Sequence, residues 1–303
     1  MSDHTELQQR LRALAAERHA VILAHNYQRP EVQDAADFTG DSLELARTAA
    51  TTGADVILFC GVHFMAETAK ILSPQKTVLM PDLRAGCPMA DMVTVEGLKK
   101  LKAEHPEAAV VAYVNTSAAV KAEVDVCCTS ANAPEIVRRI PAEQPIIFVP
   151  DKNLGDWVAR ETGRANMILW DGYCPVHHDM TAAEILAARE EHPGAVVMAH
   201  PECRREVLEL ADAVRSTSGM LRYPETSDAQ TFIVATETGL LHRLRQMYPD
   251  REFVPATRKA VCPNMKLTTL DKAIAALEEG ENEIVVPPKI AERALQAVEC
   301  MVQ

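Results

Sequence analysis

The sequence predicts an α/β protein of three similar αβα domains with small parallel sheets, and two recurrences carry that expectation. The first is a Cys-Pro pair met three times at nearly equal steps: Cys87-Pro88, Cys174-Pro175 and Cys262-Pro263, 87 and 88 residues apart. With eight cysteines and 18 prolines in 303 residues, chance supplies roughly half of one such pair at an average proline share of about 5%. The second is a set of short apolar runs that keep the same step, the mark of internal repetition.

Taken in order, residues 7–19 read as a leading helix with Leu7, Leu11, Leu14 and Ala15 on one face. A first apolar run then ends at His25, at Tyr113 and at His200, 88 and 87 residues apart. A small hydroxyl residue follows each: Ser42, Ser130 and Thr217, again 88 and 87 apart. Second runs lie at 56–59, 146–149 and 232–234, and third runs at 78–80, 167–170 and 252–254 lead towards each Cys-Pro. Continuous apolar runs without alternation fit strands buried on both faces. Helical stripes separate them: Leu43, Leu45, Ala46, Ala49 and Ala50; then Ile136, Val137 and Ile140; then Leu240, Leu241, Leu244 and Met247. Strand–helix alternation implies parallel sheets covered by helices. The tail reads as a helix over 271–279, a strand over 284–286 and a last helix from Pro287, packing back onto the first third. The expected domains are 1–90, completed by 266–303, then 91–178 and 179–265.

Composition narrows the function. The chain is 48% hydrophobic and 24% charged, so it can bury a sizeable core, but with only 4% aromatics that core leans on aliphatic residues and methionine. A net charge of −12 argues against a nucleic-acid partner, which needs a basic face. No run approaches the roughly 18 apolar residues of a membrane span, and the charged N-terminus lacks a signal-peptide core. The expectation is a cytoplasmic protein whose cysteines are free thiols or metal ligands.

In open parallel sheets, ligands bind beyond the carboxyl ends of the strands. If three units meet around a pseudo-threefold axis with those ends inward, Cys87, Cys174 and Cys262 converge. Three thiolates with no fourth, and no CxxC pair, suit a catalytic metal with an open position rather than a closed structural one. Common ancestry without convergence is the alternative. Cys60 and Cys300 read as small buried hydrophobes; Cys127, Cys128 and Cys203 stay open, and the adjacent pair on a strand faces opposite ways. Ser42 and Ser130 look like helix N-termini, where orphan N–H groups bind anions, although capping alone accounts for either. Thr217 reads as a loop able to form an anion nest. His25 and His200, with Glu202, Tyr113 and Asn115 beside them, form a plausible acid–base set. His177 and His178 fit the surface and the surroundings of the metal equally well.

These residues stand in motifs that together resemble one family. Ala24-His25-Asn26-Tyr27-Gln28, Gly40-Asp41-Ser42-Leu43, Gly86-Cys87-Pro88-Met89-Ala90-Asp91-Met92, Tyr113-Val114-Asn115-Thr116, Cys127-Cys128-Thr129-Ser130-Ala131-Asn132, His200-Pro201-Glu202-Cys203, Ser216-Thr217-Ser218 and Cys262-Pro263-Asn264-Met265-Lys266 are similar to those of the quinolinate synthases of de novo NAD biosynthesis. The resemblance covers nearly the whole chain. It implies three stacked αβα domains related by pseudo-threefold symmetry and a [4Fe–4S] cluster held by Cys87, Cys174 and Cys262, with one iron open. It implies a transferase-class reaction that condenses iminoaspartate with dihydroxyacetone phosphate and dehydrates the product to quinolinate. His25 and Ser42 would contact the iminoaspartate part. Tyr113, Asn115 and Ser130 would hold carboxylate and carbonyl oxygens, and His200, Glu202 and Thr217 would serve the triose side. Tyr113, His200, Glu202 and His25 are the implied catalytic residues. An L-aspartate oxidase or dehydrogenase would hand over the imine. Some relatives carry a CxxC around the last ligand; Cys262 stands alone, which argues against a disulfide switch. Hydroxymethylbutenyl diphosphate reductases, diphthamide-forming radical enzymes and a redox sensor are the competing readings, and the residues by themselves leave zinc open.

Overall fold

The computed structural model describes residues 3–302. Among them, twelve strands form three separate four-stranded parallel sheets. The first holds β1 (Ala20–His25), β2 (Phe38–Gly40), β3 (Val56–Cys60) and β4 (Thr77–Leu79). The second holds β5 (Ala109–Tyr113), β6 (Val126–Cys128), β7 (Ile146–Val149) and β8 (Met167–Leu169). The third holds β9 (Val196–Ala199), β10 (Ala213–Val214), β11 (Thr231–Ala235) and β12 (Glu252–Pro255). Each sheet has the same order, with its second strand at one edge, its first and third in the middle and its fourth at the other edge. The nine apolar runs read from the sequence are the first, third and fourth strands of the three sheets.

The second strand of each sheet has only two or three residues, Phe38-Thr39-Gly40, Val126-Cys127-Cys128 and Ala213-Val214, and leaves no run of large aliphatic side chains. An aspartate pins each one. Asp37, Asp125 and Asp212 precede β2, β6 and β10, and their carboxylates accept the N–H groups of Ile22, Val110 and Val197 at 2.8, 2.7 and 2.8 Å. These aspartates keep the repeat step and tie the edge to the central strand by side chain where the ladder is short.

Five expectations change. Residues 284–286 form no strand: a single bridge joins Glu283 to Leu79, and the Ile284 N–H donates to Val78. Helix Leu270–Glu279 packs on the first helix, Asp3–Glu17, as expected, but the last helix, Pro288–Val302, also runs along β6 and helix Ala118–Lys121 of the second sheet. Its amphipathic face is long enough to span both units. Ala50 and Met247 are exposed and fall outside the buried stripes, and Cys300 is half-buried rather than fully buried. Thr217 opens helix Thr217–Arg222 rather than lying in a loop, because the Ser216 hydroxyl caps Gly219. The helix is too short to show a periodic pattern. No described helix is long and apolar enough to cross a membrane.

Candidate active site and metal centre

The carboxyl ends of the three sheets open on one cavity of about 180 Å³. His25, Ser42, Cys87, Tyr113, Asn115, Ser130, Cys174, His200, Glu202, Thr217 and Cys262 all line it. The strands explain the first layer. β1 ends at His25, β5 at Tyr113, and His200 directly follows β9. The hydroxyls come from the segments after the short edge strands. Ser42 is the first residue of helix Ser42–Thr51, whose cap Asp41 accepts the N–H groups of Leu43 and Glu44 at 3.0 Å each. Thr217 has the same place behind Ser216. Ser130 differs, lying in the turn three residues ahead of helix Ala133–Arg139. Glu44 also accepts the Ser218 hydroxyl and so ties the first and third units together at the cavity.

The two histidines share one local device. The N–H two residues on donates to the ring Nδ1: Tyr27 to His25 at 3.1 Å and Glu202 to His200 at 3.3 Å. With Nδ1 an acceptor, the neutral ring carries its proton on Nε2. Burial, and for His25 the Lys266 charge, lowers both rings to about 3, so they are neutral donors at physiological pH.

Glu202 is the hub. It is only 3% exposed, and burial by itself would raise its carboxyl. The His177 and His200 rings and hydrogen bonds from His177 and Tyr113 outweigh that and hold it below the ordinary carboxylate range. His177 Nδ1 lies 2.6 Å from Oε2. Nδ1–H donates to Glu202, and Nε2 meets the Thr236 hydroxyl at 2.9 Å, which in turn meets the Tyr27 hydroxyl at 2.6 Å. Burial and the Glu202 charge push the Tyr113 phenol well above its usual value, so it stays a donor. The Asn115 carbonyl Oδ1 has no partner. A buried acceptor left free beside a cavity is satisfied by what enters it.

Each cysteine stands where a short helix begins. Cys87 caps Pro88–Asp91 and Cys174 caps Pro175–His178, both with proline at the first helical position; Cys262-Pro263 precedes the 3₁₀ turn Met265–Leu267. Proline there is preorganised and forfeits no hydrogen bond, which accounts for the recurring Cys-Pro. Burial pushes the Cys87 thiol up to about 12 and raises Cys174 and Cys262. The sulfurs close no formal cap hydrogen bond at Cys87 or Cys174. Backbone N–H groups of Met89 and Ala90, of His177, and of Asn264 and Met265 nevertheless pull the thiols back down. Thiols so placed ionise against a cation.

Among the described residues, one group of three ligand side chains has its atoms within 4.8 Å of one another: Cys174, His177 and Glu202. That trio is already a hydrogen-bonded chain, and Cys174 belongs both to it and to the three cysteines that line the cavity.

The quinolinate synthetase A protein family matches residues 9–303. The chain belongs to that family. Among curated relatives it is 54% identical to the quinolinate synthase of Thermodesulfovibrio yellowstonii, over 95% of each chain. It is 54% identical to that of Desulforudis audaxviator, over 98% of this chain and 97% of the relative. The quinolinate synthase of Aquifex aeolicus is 50% identical, over 98% and 94%.

Several side chains of this family member's cavity escape a reading of its sequence. Tyr27 takes the place of Asn115 and Glu202, two residues past the end of the first strand, and the repeat step alone could have found it. His177 is fully buried, which decides between the two places its sequence allowed. Glu237 follows β11 and carries no local signal, and Thr236 beside it stands outside the lining, bonded to Tyr27 and His177. Cys127, Cys128 and Cys203 are buried and absent from the cavity lining.

Proposed function

We propose that this chain is a quinolinate synthase that condenses iminoaspartate with dihydroxyacetone phosphate and then cyclises and dehydrates the product to quinolinate, releasing phosphate and two waters. The observation that carries the reading is the convergence of one cysteine from each repeat, with neutral histidines, a carboxylate and hydroxyls, on one cavity. Family membership and the names of relatives at about half identity support quinolinate as the product. The cofactor proposed is a [4Fe–4S] cluster on Cys87, Cys174 and Cys262, which membership of the family supports over zinc. When bound, it supplies a Lewis-acidic iron with an open position.

The residues divide the work by their protonation. His25 and His200 present Nε2–H to substrate oxygens. Ser42, Ser130 and Thr217 offer hydroxyls beside backbone N–H groups, a setting for carboxylate and phosphate in a cavity whose lining holds no lysine or arginine. Asn115 and Tyr113 hold carboxylate and carbonyl oxygens. Glu202 is ionised and connected to Tyr113 and His177, so it accepts a substrate proton and returns it through either neighbour. The apolar side chains of Val62, Phe64, Met65 and Met89 close the other wall and exclude water. The imine substrate hydrolyses in water, so an L-aspartate oxidase or dehydrogenase working nearby in the cytoplasm would supply it.

Anaerobic reconstitution followed by iron and sulfide analysis tests the metal, with about four of each expected per chain. Stoichiometric zinc and no iron would refute the cluster. Incubation with iminoaspartate and dihydroxyacetone phosphate should yield quinolinate and phosphate in equal amounts; an iron-loaded enzyme that makes neither is not a quinolinate synthase.

A further inference from the structure

Two fully buried carboxyl groups, Asp151 and Glu237, stand behind the cysteine loops, and the second also reaches the cavity lining. The sheet registers make their positions equivalent. Ala24 pairs with Cys60, Ala112 with Val149 and Ala199 with Ala235. Two residues beyond those partners come Val62, Asp151 and Glu237. Asp151 and Glu237 are both 0% exposed, and a carboxylate there is costly unless its oxygens are hydrogen-bonded. One oxygen of each does local work: Asp151 Oδ1 accepts the Leu154 N–H at 2.8 Å, and Glu237 Oε2 accepts the Gly239 N–H at 2.7 Å. The other reaches far along the chain. Asp151 Oδ2 accepts the N–H of Cys174 at 3.0 Å, and Glu237 Oε1 accepts the N–H of Cys262 at 3.1 Å.

Glu237 is held in turn. The Lys266 ammonium lies 3.0 Å from Oε1 and donates to the Tyr27 carbonyl. Gly239 makes room for the pair, since a Cβ there would fall 2.8 Å from Glu237 Oε2 and from Lys266 Nζ. Capping of a turn explains the first oxygen of each carboxylate and not the second. An aspartate in one sheet and a glutamate in the other arrive at the same contact. In the first sheet the place is taken by Val62, so no carboxylate backs Cys87.

We propose that Asp151 and Glu237 are positioning residues for two of the three metal-binding cysteines, fixing the Cys174 and Cys262 backbones so that their sulfurs face the cavity, while Cys87 has no such anchor. This rests on the reading that the three cysteines hold one metal group. A side-chain amide presents one oxygen where the carboxyl group presents two, so Asp151→Asn and Glu237→Gln each loosen one corner. Partners in the layer behind metal ligands are worth about 10- to 100-fold in metal affinity.

The test reconstitutes the full chain and both variants anaerobically, counts iron and sulfide, and follows iron release to a chelator well below the melting temperature of each metal-free protein. Each variant is expected to release iron about 10- to 100-fold faster than the parent. The midpoint potential of the bound cluster should move positive in Glu237→Gln, where a negative charge leaves its vicinity, a readout that a purely structural role does not shift. Variants that fold, release iron at the parental rate and keep the parental potential overturn the proposal, whatever happens to their melting temperatures. If neither variant folds, amide hydrogen exchange in the reconstituted parent decides: slower exchange at Cys174 and Cys262 than at Cys87 supports the anchors, and equal exchange removes them. A parent that takes up no iron brings down the cluster reading, and this proposal with it, and is recognised from the parent alone.

Discussion

Replacing Glu202 with glutamine perturbs the hub of the cavity while keeping its volume. Two routes give the magnitude. The carboxylate accepts hydrogen bonds from His177 Nδ1 at 2.6 Å and from Tyr113, and bonds to a buried charge contribute about 1.5–3 kcal/mol each. The same interactions, expressed as a pKa lowered from 4.5 to about 2, correspond to about 3 kcal/mol of stabilisation. Glutamine keeps one accepting oxygen, so we expect a loss of about 2–3 kcal/mol and a melting temperature lower by roughly 4–6 °C. The sign with pH follows from linkage. The folded carboxyl ionises more readily than the unfolded one, so its contribution is complete above the unfolded pKa of about 4.5 and disappears as pH falls through the folded value of about 2. In metal-free protein, melts from pH 7 down to pH 2 should show parent and variant converging over that window. Turnover should fall about 10²- to 10⁴-fold with iron content intact, the range for loss of a positioned acid–base group. Equal melting at pH 7 together with turnover within threefold of the parent would refute the assignment of Glu202 as the hub.

Two further substitutions probe neighbours of that hub. Tyr113→Phe removes a proton donor to Glu202 and should reduce turnover about 10²-fold without changing iron content; steady-state kinetics on iron-loaded protein check this, and unchanged turnover takes Tyr113 out of proton transfer. Gly172→Ala places a Cβ 2.4 Å from the Pro150 carbonyl oxygen, so the loop leading to Cys174 must shift. It should cost about 1–3 kcal/mol in thermal melts and lower the iron retained after reconstitution.

The parts of the site legible in the sequence are those that repeat locally. Cys-Pro recurs because a cysteine at a helix start with proline next to it is a complete local structure, and it is needed three times. The strand-ending residues His25, Tyr113 and His200 show because buried parallel strands are continuous apolar runs with abrupt ends. The second strand of each sheet stays hidden, since two or three residues held by Asp37, Asp125 and Asp212 carry no pattern of their own. Thr217 is misread for the same reason: a six-residue helix has less than two turns in which to show a period.

What brings His177 to Glu202, Thr236 to Tyr27 and Asp151 to Cys174 is tertiary. These partners lie 25, 209 and 23 residues apart in the chain, and no local spacing encodes such contacts. The sequence by itself determined that there are three copies of one α/β unit, that each presents a cysteine, and which residues end the strands, because each of these is written within one repeat. Only the packing of the three units decided that the equivalent ends share a cavity, that His25 and His200 there are neutral and Glu202 charged, and which side chains surround each cysteine. Protonation and ligand spacing depend on burial and on groups contributed by the other two units, and neither exists until the units meet.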